Sequence, residues 1–188
     1  MSKHIKEDPD KFPKTFIVLG MHRSATSLVA KGLATQINMG ATKAYRDAGN
    51  PEGYWEDKAF IDLNTRILKQ AQTGSSWYNP PPEENILSRA RFFKNHISKL
   101  IEDKNGVKLW GWKDPRTTLT IRLFMPYIKN PHIIPVFRDR EEVAKSLATR
   151  DGFTHEFARD LADEYNKRLL SFMADFAAGK WSKDGPKI

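Results

Sequence analysis

Apolar positions along the chain recur in two rhythms. Residues 15 to 19, Thr-Phe-Ile-Val-Leu, form a short unbroken run stopped by Gly20, the pattern of a strand buried on both faces of a parallel sheet. From Ser24 to about Gln36 the period lengthens, with Leu28, Val29, Leu33 and Ile37 at helical spacing. Strand, tight turn and helix together make the first half of a β-α-β unit.

The same two rhythms continue downstream. Residues 41 to 54 are small and polar and include the turn-like "GNPEGY", after which Phe60, Leu63, Ile67 and Leu68 mark a helix from about Trp55 to Gln72. Three consecutive prolines in "TGSSWYNPPPEEN" end any helix there, and a new one is expected from Glu83 to about Asp103, with Ile86, Phe93, Ile97 and Leu100 facing inward. "VKLWGW", 107 to 112, and "HIIPVF", 132 to 137, read as further core strands, each followed by charged residues and helical patterns. Pro135 argues against a central place for the last strand, because it removes one ladder donor. A long helix from about Thr154 to Ala178 follows, with Phe157, Leu161, Tyr165, Leu169, Phe172 and Phe176 at spacings of four or three. The alternation predicts α/β layering on a parallel sheet, without repeats or a second-domain boundary. The polar opening "MSKHIKEDPDKFPK", 1 to 14, reads as a flexible lead-in to one domain over 15 to 188.

Composition narrows the chemistry. The 188 residues suffice for one enzyme-sized core, and no stretch approaches the ~20 apolar residues of a membrane span, so a membrane partner is not expected and a cytoplasmic location is the default. Without cysteine there are no disulfides, thiolate metal sites or cysteine nucleophiles. Lysine plus arginine outnumber aspartate plus glutamate by 31 to 23, a net charge of +8 that favours anionic ligands. The basic residues are scattered, with no lysine-arginine block or RNA-binding aromatic signature, so a dedicated nucleic-acid module is not expected.

In a strand-loop-helix unit, backbone N–H groups and the positive end of the helix converge where the strand ends, favouring a phosphate or sulfate. That loop is Met21 to Ser27. A triphosphate-binding loop would read G-x-x-x-x-G-K-[ST], but Gly20 is followed by Ala25, Thr26 and Ser27, so the second glycine and the lysine are missing. The bland alternative is a plain turn with Ser24 capping the helix.

Gly20, His22, Arg23, Ser24, Thr26 and Ser27 instead resemble the phosphosulfate-binding loop of sulfotransferases, G-x-[HPR]-[RK]-S-G-T-[ST], with Ala25 where that family usually has glycine. "VFRDREEVAKSLATRDG" resembles the family's 3′-phosphate signature, a strand-end arginine and a serine eight residues later, here Arg138 and Ser146. "GWKDPRT", 111 to 117, and "NPEGYWED", 50 to 57, resemble two more family segments in the same order. The resemblance spans 16 to 152 and implies a three-layer, P-loop nucleotide-hydrolase-like fold. It also implies 3′-phosphoadenosine 5′-phosphosulfate as donor, no metal, and a small-molecule or glycan acceptor.

It further implies that Arg23 and the backbone and hydroxyls of Ser24 to Ser27 hold the 5′ phosphosulfate, while Arg138 and Ser146 hold the 3′ phosphate. Lys113 would balance charge on the transferred group, and Arg116 and Trp55 would meet the acceptor. The ordinary alternative is a loop salt bridge with Asp114 for Lys113 and Arg116, and packing for Trp55. Glu56 is the first candidate for the base and Asp114 the second. A carboxylate in that role needs a pKa above its usual value near 4, or must act by orienting the acceptor hydroxyl. The histidine base of many cytosolic members has no counterpart, because the matching region reads Lys-Asp-Pro-Arg. His22 is expected to contact an anion or to pack; His4, His96, His132 and His155 have no useful spacing. Trp77 and Tyr78 suit either a stacking platform or packing, and Arg150 either the phosphate site or a helix end. Family members usually continue beyond "FAAGKWSKDGPKI" into another strand, so a short enzyme, a shortened piece and a vestigial protein stay open. The other function classes are a kinase-like ATP-binding enzyme and a noncatalytic nucleotide- or anion-binding module.

Overall fold

A computed structural model describes residues 11–40 and 53–181. Most of the polar lead-in, "GNPE" of the turn at 49 to 54 and the last seven residues lie outside the described residues. The elements run β1 (Lys14–Leu19), α1 (Thr26–Leu33), α2 (Lys58–Ala71), α3 (Glu83–Leu87), α4 (Ala90–Lys104), β2 (Leu109–Lys113), α5 (Thr117–Phe124), a 3-10 turn (Met125–Tyr127), β3 (Pro131–Pro135), α6 (Arg140–Asp151) and α7 (His155–Ala177). Among the described residues the strands form one parallel sheet in the order β2-β1-β3. The fold is α/β, a three-stranded parallel sheet packed against helices.

The central strand is the unbroken apolar run, as two-sided burial requires. Ile17 and Leu19 pack with Trp110 and Trp112 of β2 and with the apolar stripes of α2, α4, α5 and α7. Val18 faces the other way, onto Ala30 of α1 and Met39. The rings of Phe60 and Trp112 stack at 4.2 Å where α2 crosses the sheet.

Both outer strands have their edges managed. Thr15 N–H donates to Asn130 O (3.0 Å) and Val136 N–H to Leu19 O (2.8 Å), so even-numbered residues of β3 turn their backbone groups toward β1. Pro131 and Pro135 therefore sit at outward positions, where a missing N–H costs no ladder bond and denies a donor to an added strand. Pro135 is compatible with the strand because β3 is an edge. On the other side, Asn38 N–H donates to Leu109 O and Gly111 N–H to Asn38 O, covering part of the β2 edge.

Two helices differ from the periodicity. The first begins at Lys58 rather than Trp55, because Trp55 is left-handed (φ 54°) and Asp57 caps the helix by accepting from Ala59 N–H at 2.9 Å. The segment from Glu83 breaks into α3 and α4, with the Ser88 hydroxyl donating to Asn85 O (2.8 Å) at the junction. No helix of the described residues is long and apolar enough to cross a membrane.

Candidate functional site

The turn after β1 is shaped by crowding at one end and left-handed backbone at the other. A Cβ on Gly20 would lie 2.6 Å from Val136 O, so only glycine lets the end of β3 approach. Gly20 N–H donates to the Thr118 hydroxyl (2.9 Å), and that hydroxyl donates back to Gly20 O, which fastens the turn to α5. Gly20 thus shapes the loop while its amide is engaged within the protein. Arg23 (φ 67°) and Ala25 (φ 65°) are both left-handed, and Ala25 rather than Ser24 precedes α1, with no side-chain cap. The glycine preference of the resembled motif at Ala25 thus has a physical counterpart here. Ser24 is buried, and the amide N–H groups of Ala25 and Thr26 have no partner among the described residues.

The loop is the floor of a cavity of about 310 Å³ at the carboxyl ends of the strands. Among the described residues its cations are Arg23, Lys31, Lys113, Arg138 and Arg150, and its one carboxylate is Glu56. Burial, and then the neighbouring Arg150, push the Arg23 guanidinium below its ordinary pKa. A site with this excess of positive charge favours an anion. Thr26 and Ser27 line it from α1, and the Ser27 hydroxyl donates to Tyr54 O (3.2 Å), tying α1 to the segment that carries Trp55 and Glu56.

The two distant basic segments meet at this loop. Arg23 Nε donates to Ser146 Oγ at 2.8 Å, and Arg138 Nη1 donates to Arg23 O at 2.9 Å. A second hollow, about 510 Å³, lies on the flank of α6 and shares Arg23, Arg138 and Arg150 with the first. Arg150 also lies over the Trp77 ring, 5.5 Å from its centre.

Glu56 and Lys113 form a buried ion pair of 2.7 Å between the α2 lead-in and the end of β2; the lysine side chain is 1% exposed. Burial pushes the Glu56 carboxyl up and the Lys113 amine down, each opposed by the charge of the other. Arg116 does not line the cavity. Its Nη1 donates to Asp114 Oδ1 (2.6 Å) and stands 3.6 Å from Glu56. Asp114 is fully buried, with Oδ1 also accepting from Arg116 N–H (3.1 Å) and Oδ2 from Asn64 Nδ2 (2.8 Å).

His22 lines the cavity with its ring 4.2 Å from that of Trp77, while its Nε2 is buried and unpartnered. Burial, reinforced by Arg116, Arg150, Lys113 and Arg23, holds its pKa well below the ordinary value, so the ring is neutral near neutral pH. His132 instead stacks on Phe16, at 4.9 Å, away from this chemistry.

Sequence reasoning missed Asn64, Thr117 and Thr120. The Asn64 amide also donates to Thr117 Oγ1 (2.9 Å) and accepts from Thr120 Oγ1 (2.7 Å), anchoring Asp114 from inside the core. Its signal was a polar residue four positions after Phe60 on an otherwise apolar stripe. No family model, curated protein or solved structure matches the chain.

Proposed function

We propose that this chain is a sulfotransferase that moves a sulfuryl group from 3′-phosphoadenosine 5′-phosphosulfate to a hydroxyl or amine of a small-molecule or glycan acceptor. The observation that carries this reading is the meeting of Arg23, Arg138 and Ser146 within hydrogen-bond distance beside the loop after β1. These residues lie 123 and 115 positions apart in the pairs they form, and they are the ones the family resemblance assigns to opposite ends of one donor molecule.

In this reading the loop amides and Arg23 hold the 5′ phosphosulfate, and Arg138 with Ser146 holds the 3′ phosphate. Reaction breaks the bond from sulfur to the bridging oxygen and forms one from sulfur to the acceptor oxygen or nitrogen. The acceptor proton passes to Glu56, whose pKa burial raises above the ordinary carboxylate value, making it a stronger base than a solvated carboxylate. Lys113, 2.7 Å from Glu56, supplies positive charge beside the reacting group. Asp114 and Arg116 act as positioning residues, since their contacts point to each other and toward Glu56.

Calorimetry with 3′-phosphoadenosine 5′-phosphate in the absence of magnesium, against magnesium-ATP, tests the reading. Binding of the bisphosphate is expected, weakened by Arg23→Ala and Arg138→Ala by on the order of 3 kcal/mol or less each, the range for charged hydrogen bonds. Preference for magnesium-ATP would favour a kinase-like enzyme. A labelled-sulfate acceptor screen then separates an enzyme, which yields product that Glu56→Gln suppresses, from a module that only binds.

A further inference from the structure

The second hollow contains a carboxylate in an otherwise basic wall. Arg23, Arg138, Lys145 and Arg150 line it with Ser146 and Thr149, and the acid among them is Glu142. Glu142 stands one helical turn before Ser146 on the same face of α6. Its Oε2 accepts from Arg138 Nη2 at 3.1 Å, while Arg138 Nη1 is held by Arg23 O.

Neither capping nor packing requires a carboxylate at 142. The end of α6 is already capped by Asp139, whose Oδ1 accepts from Glu141 N–H (2.9 Å) and Glu142 N–H (3.2 Å). The Glu142 side chain is 56% exposed, so it fills no core position. An acid in the first turn favours the helix dipole, but Glu141 supplies that charge too while turning toward Arg140 and Arg159. What distinguishes Glu142 is its place in the basic hollow, bonded to the guanidinium of Arg138 that lines it.

We propose that Glu142 is an internal competitor for the terminal phosphate and sets how tightly this chain holds it. The proposal rests on the donor reading above. A 3′ phosphate reaching Arg138 and Ser146 takes over the Arg138 Nη2 donor and comes to lie beside the displaced carboxylate. It loses affinity both through the lost ion pair and through like-charge repulsion. Donor and desulfated product carry the same 3′ phosphate, so Glu142 weakens both alike. Its benefit falls on product release, a step that limits many enzymes.

The test measures, by calorimetry at one salt concentration, binding of 3′-phosphoadenosine 5′-phosphate and of adenosine 5′-phosphate to wild type, Glu142→Gln and Glu141→Gln. Glu142→Gln should tighten the bisphosphate about fivefold, the scale of one exposed ion pair, and leave adenosine 5′-phosphate as it was. Glu141→Gln removes the same charge from the same turn and should change neither. Equal tightening of both ligands by Glu142→Gln, or equal effects of the two substitutions, would reduce Glu142 to general electrostatics and overturn the proposal. Bisphosphate binding that Glu142→Gln leaves unchanged would overturn it while the donor reading stood. Failure of wild type and both variants to bind the bisphosphate would overturn both. Glu142 is exposed, so matched melting temperatures for the three proteins verify that folding is not what differs.

Discussion

At the scale of single residues, the loop after β1 is defined by two backbone demands. Gly20 answers the first, close approach of the β3 end, and Ala25 answers the second poorly. A left-handed alanine (φ 65°) brings its Cβ against the carbonyl that follows, a strain of roughly 1–2 kcal/mol that glycine lacks. Ala25→Gly should therefore raise unfolding stability by about 1 kcal/mol, after glycine's greater freedom in the unfolded chain is deducted. The denaturant midpoint measures it, and an unchanged or lower midpoint would remove the strain account. Loop motif, strand-end arginine and following serine were all legible as letters. Their meeting was not, since hydrogen bonds such as Arg23 to Ser146 join positions that no local pattern relates.

At the scale of elements, position in the sheet decides what each sequence feature means. The apolar run of β1 announces a central strand, but the prolines of β3 become harmless only because the odd positions face outward. Gly111 lies within "LWGW" because the sheet requires it there: a Cβ would stand 2.1 Å from Phe16 O of the neighbouring strand. Gly111→Ala should cost about 3 kcal/mol, the upper part of the range for overpacking. Chemical denaturation monitored by tryptophan fluorescence would register it, and a loss below ~0.5 kcal/mol would mean that the strands part without strain. Helix interiors followed from their apolar period, as did both ends of α7, whereas the start of α2 and the break between α3 and α4 did not. Asp57 caps the start of α2 by accepting from Ala59 N–H, while the Ser88 hydroxyl donates back to Asn85 O at the α3–α4 break.

At the scale of the whole molecule, charge gathers at one end of the sheet. A net +8 spread along the sequence becomes Arg23, Lys31, Lys113, Arg138 and Arg150 around one cavity, with neutral His22 set in its wall. The folded protein binds no proton at His22 until the pH falls well below 6.5, its ordinary pKa, whereas the unfolded chain binds one there. Below pH 6.5 the unfolded state therefore holds the extra proton, and stability falls with acidification by up to about 1.4 kcal/mol per pH unit from this group. Above it the contribution is level. Denaturant midpoints from pH 7.5 to 5.5 should fall more steeply for wild type than for His22→Gln. Parallel slopes would show that the imidazole is free to take up its proton in the folded state.

Apolar patterning alone indicated which segments are strands and which are helical, because a short unbroken apolar run and a stripe of period 3.6 are both local properties. Composition alone determined the bias toward an anionic ligand and the absence of thiol chemistry. Only the tertiary structure decided that β1 lies at the centre, that Arg23, Arg138 and Ser146 share one hollow, and that Glu56 is paired with a buried lysine. It also decided that Asp114 and Arg116 hold each other rather than face the cavity. Those outcomes depend on strand order and on contacts between residues far apart in the chain, whose energies exist only once the chain has closed around them.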